Sequence, residues 1–338
     1  MTRRSVSSST VFLLAAMAIV WIGGCAGQKS QRVPVATEPD PSIVAREESQ
    51  LASARSATAA GDYATALTLF RELLSENALL TDAYMGIGEV YRVQGDYEQA
   101  EPAYARAARL EPRNFDAQYF HGVVLQALDR LVDAIKAYHR ALTIRPDDFN
   151  ANANMATVYM RINQPNSAMI FAEKAVELRP DDGAARVNLG TAYAKVGRYN
   201  EAIVQYETAM ELLDPTPELM LSLVNAYGEE RRYQEAVNAA SVLVRIAPSA
   251  NAYERLGWGY FRLGQYADSI AAYREAVRLD DTHWPALNGV GVNAINAWLL
   301  SNRTDLAAAE EARAVFRRSL QANPNQPKVV QLLTTYQL

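Results

Sequence analysis

The sequence predicts an all-α solenoid, a fold in which repeated helix pairs stack side by side. The pattern Gly-x-Tyr-x-x-Ala recurs with a period of about 34 residues, starting at Gly61, Gly95 and Gly197. The step from Gly95 to Gly197 is 102 residues, three times 34, and Gly264-Gln265-Tyr266 continues the series. A fixed period of this size is typical of solenoids. Because solenoids display surfaces more often than they house chemistry, the pattern favours a binding scaffold over an enzyme.

The composition is compatible with an extended apolar core and excludes some functions. The chain has 338 residues, of which 49% are hydrophobic, and a formal net charge of -5. A mildly acidic chain lacks the basic surface that nucleic-acid binding requires, so no nucleic-acid partner is expected. Cys25 is the single cysteine, which excludes an intrachain disulfide.

Residues 1–24 have the layout of an export signal rather than of a folded segment. Arg3 and Arg4 supply the positive start, and the twelve residues 11–22 are all apolar. This run is short for a membrane span and suits the core of a signal peptide. Gly23-Gly24-Cys25 then resembles the lipobox of bacterial lipoproteins. The open alternatives are an uncleaved anchor with an unmodified cysteine and, for the arginine pair, twin-arginine export.

The lipobox resemblance implies that Cys25 is lipid-modified and becomes the first residue of the mature chain. Ala26, in place of an aspartate at this position, implies sorting to the outer membrane. Residues 25–46 would then be the lipidated cysteine and a flexible tether, since residues 26–46 include three prolines and show no apolar period. We therefore expect a membrane attachment through lipid, with the repeats facing the periplasm.

Each repeat of residues 47–326 carries the same residue types at the same positions, numbered from the start of its first helix. The repeat at 81 has Tyr84, Gly88, Tyr91, Gly95, Tyr97, Ala100, Tyr104, Ala107 and Pro112. This pattern resembles the tetratricopeptide repeat (TPR), which implies a right-handed α-solenoid of antiparallel helix pairs, the TPR superhelix. About eight units are expected, starting at residues 47, 81, 115, 149, 183, 217, 250 and 284. The tyrosines are expected in the core because aromatic stripes at helical spacing normally pack there.

The last unit is irregular. Its proline, Pro324, comes nine residues later than the pattern requires, so longer helices are expected with a break at residues 301–304 and Thr304 as a possible cap. The unit is interpreted as an atypical capping repeat, or alternatively as a projecting contact element. Residues 327–338 are predicted to form a C-terminal helix that covers the end of the core.

The TPR resemblance implies a concave groove lined by the first helix of each pair. Positions 2, 5, 9, 12 and 13 face that groove in the family, and Asn154 and Asn188 at position 6 form a further amide pair beside it. The candidate partner-binding residues are Met85, Glu89, Arg92, Tyr119, Gln126, Asn150, Asn154, Arg161, Asn188, Lys195, Asn225 and Arg262. Asp82 and Asp116 occupy position 2 of their repeats.

The sequence offers no motif for catalysis, and no metal, cofactor or small-molecule substrate is predicted. The phosphate-binding, dinucleotide-binding, hydrolase and zinc-protease motifs are all absent. His121, at a normally apolar position, is interpreted as a satisfied core histidine rather than a ligand. The chain is accordingly predicted not to be an enzyme.

Two functional hypotheses remain. The first is a scaffold of the bacterial envelope that holds a partner peptide or domain in its groove while an envelope, secretion or pilus complex assembles. The resemblance here is to repeat lipoproteins that support secretin pores, pili or cell-wall enzymes. The alternative is a module that binds cell-wall glycan or serves as an adaptor for a cell-wall enzyme.

Overall fold

The computed structural model describes residues 41–338, and these residues form seventeen α-helices without a strand. By its contacts the chain divides into residues 1–47 and residues 48–338, and the packing described below is that of the second unit. The all-α fold class predicted from the repeats is confirmed. The predictions for the signal segment, Cys25 and most of the tether lie outside the described residues.

The helices follow one another in pairs with nearly constant lengths. The regular pairs are α1 (Pro41–Ala59) and α2 (Tyr63–Glu76), α3 (Thr81–Val93) and α4 (Tyr97–Leu110), α5 (Phe115–Ala127) and α6 (Leu131–Ile144), α7 (Phe149–Arg161) and α8 (Pro165–Leu178), α9 (Gly183–Lys195) and α10 (Tyr199–Leu212), α11 (Pro217–Glu229) and α12 (Tyr233–Ile246), and α13 (Ala250–Arg262) and α14 (Tyr266–Leu279). The longer α15 (Trp284–Leu300) and α16 (Leu306–Ala322) follow, and then α17 (Pro327–Tyr336). From α3 to α15, each first helix begins at the residue where the sequence pattern places a repeat start.

The turn inside each pair requires a left-handed backbone residue. Gly61, Gly95, Gly197 and Gly264 supply it with φ of 75–81°, since a residue without Cβ adopts this conformation at little cost. In the pairs that lack this glycine, Asp129, Asn163 and Arg231 take the same place with φ of 57–59°. The geometry of the turn is therefore kept even where its preferred residue is lost.

The links between pairs contain a helix stop and a helix start. Pro112, Pro146 and Pro180 lie between a second helix and the next first helix, where a proline cannot extend the preceding helix. Asp148 and Asp182 then cap the new helices, each accepting a backbone N–H bond of 2.8 Å through Oδ1. Sharp helix ends at both sides keep the pairs in register.

In five of the described helix pairs, the core combines an aromatic ring on the second helix with a glycine on the first helix. A Cβ added at Gly88 would lie 2.8 Å from the ring of Tyr104, and one at Gly190 would lie 2.7 Å from the ring of Tyr206. Tyr104, Tyr138 and Tyr206 are buried. Because these rings fill the space that glycine leaves, they belong to the core, as predicted, whereas Tyr266 of the same stripe is exposed.

Two local predictions were wrong. The predicted tether extends to residue 46, but α1 begins at Pro41, because proline suits the first position of a helix, where its missing N–H needs no partner. Thr304 is not the cap of the following helix. Asp305 is, and its Oδ1 accepts the N–H of Ala308 at 3.0 Å, since a carboxylate is a stronger acceptor than the hydroxyl that Thr304 turns towards Ser301.

The C-terminal helices have a core of their own. Phe316 of α16 and Val329 of α17 are buried together with Ala294 and Ile295 of α15. Leu332, Leu333 and Tyr336 pack against this cluster. Helix α17 therefore covers apolar surface that would otherwise end the array. None of the helices between residues 41 and 338 is long and apolar enough to cross a membrane.

Candidate binding groove

A cavity of about 720 Å³ lies among α1, α2, α3 and α5. Helix α3 lines it with Asp82, Met85, Glu89 and Val93, which are its positions 2, 5, 9 and 13. These four positions are among those that face the groove in the tetratricopeptide repeat, which the sequence resembles. The volume falls within the range of about 300–1,000 Å³ that is common for ligand sites. We call this space the N-terminal cavity.

The wall of the N-terminal cavity combines apolar and polar groups. Phe70 of α2 and Phe120 of α5 line it together with Met85, and the ring of Tyr104 joins them from α4. Phe120 stacks on Tyr104 with the ring centroids 5.8 Å apart. A surface of this kind gains most free energy by covering a large apolar side chain.

One carboxylate inside the cavity is held by its own hydrogen bonds. Glu89 accepts two bonds of 2.8 Å from Arg92 and one of 3.1 Å from the hydroxyl of Tyr104. The hydrogen bond to Glu89 raises the pKa of Arg92, and burial first, with the charge of Glu89 second, raises the pKa of Tyr104. Both donors therefore stay protonated at neutral pH, and the Glu89 charge is already neutralised by a neighbour.

The carboxylates at the rim are held much less firmly. Asp82 pairs with Arg55 at 3.2 Å, and Asp116 lies 3.9 Å from Arg145, with about half of each side chain exposed. Exposed ion pairs of this kind contribute only about 0–1 kcal/mol. A ligand cation could replace either arginine at small cost.

The structure joins four of the predicted groove residues to one another across α5 and α7. Asn154 donates to the hydroxyl of Tyr119 at 3.2 Å, and Arg161 donates to the backbone carbonyl of Gln126 at the same distance. The side-chain oxygen of Gln126 accepts a bond of 2.8 Å from Tyr138. These side chains connect consecutive repeats, so their polar groups are largely occupied within the chain.

The remaining predicted residues divide into two kinds. Arg262 donates to the hydroxyl of Tyr233 and lies over that ring, with its guanidinium carbon 4.6 Å from the centroid. The other four predicted residues are Asn150, Asn188, Lys195 and Asn225. They are exposed, and within residues 41–338 their side chains make no hydrogen bond or ion pair. These four are the predicted residues that are most available for a partner.

A second cavity, of about 280 Å³, lies between α13 and α15. Trp258, Arg262 and Tyr273 line it together with Asn288 and Gly289. Of these residues, only Arg262 was predicted from the sequence to bind a partner. Asn288 already donates to Gln326 at 2.7 Å and accepts from Ser319 at 2.7 Å, which leaves this smaller space with fewer free polar groups than the N-terminal cavity.

The N-terminal cavity is also lined by Phe70, Gly86 and Phe120. None of these three residues was predicted from the sequence to belong to the binding site. Gly86 occupies position 6 of its repeat, where the five following repeats have Phe120, Asn154, Asn188, Ser222 and Arg255. A glycine at a position that carries a large or polar side chain in these five repeats, although the last unit again has Gly289 there, was the available signal. Phe70 gave no such signal because its position also serves the core, whereas Phe120, a large aromatic residue at the mostly polar position 6, did give one.

His121 is partly buried without a complete set of partners. Its Nε2 lies 3.2 Å from Glu101 Oε1, while its Nδ1 has no hydrogen-bond partner. Burial lowers the pKa of His121, and Glu101 opposes that effect. No group of three or more potential ligands that could hold a metal ion occurs among the described residues, so the geometry offers His121 only its carboxylate neighbour.

The chain belongs to the tetratricopeptide repeat family. Family models described as tetratricopeptide repeat match residues 51–101, 85–149, 125–189, 184–212 and 250–283. Together these segments cover more than half of the chain. No curated protein matches the chain by sequence. Membership of this family makes the chain a protein–protein interaction scaffold in the general sense, and such proteins are in general not catalytic.

Solved structures share the fold at low sequence identity. The C-terminal part of a TPR repeat-containing protein from Cytophaga hutchinsonii has a TM-score of 0.58 and 17% identity, over 71% of this chain and 98% of its own. PilF of Pseudomonas aeruginosa has a TM-score of 0.51 and 17% identity, over 62% of this chain and 95% of its own. A tetratricopeptide repeat protein from Parabacteroides merdae has a TM-score of 0.50 and 18% identity, over 75% and 97%.

Proposed function

We propose that this TPR protein is a lipid-anchored scaffold of the bacterial envelope that holds a segment of a partner protein in its groove during assembly of an envelope complex. The observation that carries the proposal is the N-terminal cavity, which has aromatic and other apolar groups in its wall and a rim of weakly held carboxylates. Its lining comes from three successive helix pairs. A partner segment placed there would contact several repeats at once, as a scaffold requires.

The anchoring part of the proposal rests on the sequence alone. Its support is the succession of Arg3 and Arg4, twelve apolar residues and Gly23-Gly24-Cys25. The proposed location is the periplasmic face of the outer membrane. Fractionation of cells that express the full chain tests this step: we expect the protein in the membrane fraction, and a Cys25→Ala variant should lose both the lipid and the membrane association.

The groove is tested by site-specific photo-crosslinking in intact cells. A photoreactive residue at Val93, an exposed residue of the cavity lining, should capture a partner protein of the envelope. Val204 of α10 is the matched control, because it is a similarly exposed valine on a second helix. Equal capture at both positions, or none at Val93, would exclude the N-terminal cavity as the binding site.

The alternative function, binding of cell-wall glycan, predicts a different result, which is measured with the purified chain. If the protein binds cell-wall glycan, the purified chain should be retained on isolated cell wall in the absence of any partner protein. Retention without a protein crosslink at Val93 would favour the glycan-binding alternative. A protein crosslink without retention supports the scaffold.

A further inference from the structure

One wall of the N-terminal cavity is a position of α3 that has no side chain. A Cβ at Gly86 would lie 2.2 Å from Cζ of Phe70, so the ring packs directly against the backbone of α3. One repeat further on, the equivalent position carries Phe120, whose ring covers Tyr104. Phe70 therefore fills the space beside Gly86, and Phe120, at the equivalent position of the next repeat, forms another wall of the cavity.

Acidic groups predominate around this space. Its lining contains three carboxylates, Asp82, Glu89 and Asp116, and one cation, Arg55. Glu89 is satisfied by Arg92 and Tyr104, which leaves the two aspartates as the groups that can respond to a ligand. Because both are exposed and hold their arginines weakly, a cation of a ligand can replace Arg55 or Arg145 as their partner.

From this complementarity, and resting on the proposed function, we infer the class of ligand: a partner segment in which a bulky apolar side chain is flanked by lysine or arginine. The apolar side chain enters between Met85 and Phe120. The flanking cations lie at the rim, against Asp82 and Asp116. An acidic segment would meet the same two carboxylates and be repelled.

Short labelled peptides test this inference by fluorescence anisotropy with the purified full chain in detergent. Three peptides of equal length are compared: one with phenylalanine between lysines, one with glutamate in place of lysine, and one with alanine in place of phenylalanine. We expect the first to bind at least about tenfold more tightly than either of the others, and to weaken as salt is raised. Equal affinity of the lysine and glutamate peptides would overturn the inference.

Charge reversal locates the binding at the rim. A double variant, Asp82→Lys with Asp116→Lys, should weaken the phenylalanine–lysine peptide by about tenfold or more. Glu218→Lys is the matched control, since Glu218 is exposed at position 2 of α11, outside the cavity. It should bind the peptide like the unchanged chain. An unchanged affinity of the double variant, or an equal loss in the control, contradicts the inference.

The crosslinked segment from cells separates the two proposals. If Val93 captures a partner whose crosslinked segment has an apolar residue beside lysine or arginine, both proposals are supported. If the captured segment is acidic, the ligand class is wrong while the groove remains the binding site. If Val93 captures nothing, the proposed function fails whatever the peptides do.

Discussion

At the scale of single residues, the turn inside each pair shows how the repeat tolerates an unfavourable residue. Arg231 adopts a left-handed φ of 59°, at a site where four other repeats have glycine. A residue with a Cβ pays about 1–2 kcal/mol in this conformation. The side chain of Arg231 makes no ion pair in the described chain that would compensate for this strain.

Replacing that arginine should stabilise the protein. We expect Arg231→Gly to raise the free energy of unfolding by up to about 1 kcal/mol, because strain is relieved while the flexible unfolded chain gains some entropy. Denaturant unfolding followed by circular dichroism measures the change. Gly197→Arg is the reverse experiment at the equivalent turn, and it should lower stability; a gain in both variants would contradict the explanation.

The partly buried His121 makes stability depend on pH. Burial lowers the pKa of His121 in the folded state below its ordinary value of 6.5, so the unfolded chain binds the proton more readily. The stabilisation is complete above the unfolded pKa and is lost as the pH falls through the folded pKa. Wild-type stability should therefore decline more steeply below about pH 6.5 than that of His121→Gln.

Thermal unfolding between pH 7.5 and 5 measures this difference. The matched control is His139→Gln, because His139 is exposed on α6 and has no buried ring nitrogen without a partner. That variant should keep the wild-type slope. Parallel curves for the wild type and His121→Gln would show that the buried imidazole is not the group that titrates.

At the scale of helices, docking of α17 depends on one buried amide. Gln326 is 7% exposed, and its Nε2 donates to the backbone oxygens of Ser319 at 2.9 Å and Asn323 at 2.7 Å. Its Oε1 accepts a bond of 2.7 Å from Asn288. A single side chain thus ties the start of α17 to both α15 and α16.

Removing this amide should release α17. We expect Gln326→Ala to cost about 1–3 kcal/mol, since several buried polar groups would lose their partner at once. Hydrogen exchange should then become faster in residues 327–336 and stay unchanged in α3. Gln331→Ala, an exposed glutamine of α17, is the control; equal exchange in the two variants would show that apolar packing alone holds the helix.

The residues at which the helices begin could be predicted from the sequence far better than the cavity could. Starts from α3 to α15 coincide with the repeat pattern because glycine, tyrosine and proline act locally, within one pair. Asp305 was missed as a cap because the choice between it and Thr304 depends on the path of the preceding turn. The cavity depends on Phe70, Gly86 and Phe120 from three different pairs, and no single repeat contains that information.

At the scale of the whole array, charge is distributed unevenly between the two ends. Residues 48–114 contain ten acidic and six basic residues, whereas residues 284–338 contain three acidic and five basic ones. The acidic end is the one that carries the N-terminal cavity, so the wider charge adds to the effect of its rim. Approach of a cationic segment is therefore favoured at one end of the array rather than along its whole length.

The same array should respond locally to damage, because its helices contact only near neighbours. Each substantial helix–helix contact joins helices at most two apart along the chain, and stability in such a solenoid is a sum of neighbouring terms. Phe316 is fully buried among α15, α16 and α17. We expect Phe316→Ala to cost about 3–5 kcal/mol and to expose this end of the array.

Hydrogen exchange along the chain distinguishes a local from a global effect of that substitution. Amides of α15–α17 should exchange faster, while those of α2–α4, which contribute to the wall of the N-terminal cavity, should keep their protection. Phe70→Ala is the mirror experiment, since Phe70 is equally buried at the opposite end, and it should expose α2–α4 and spare α15–α17. If either substitution removed protection from the whole array, the protein would fold as one cooperative unit, and the cavity could not be treated as a property of its first three helix pairs.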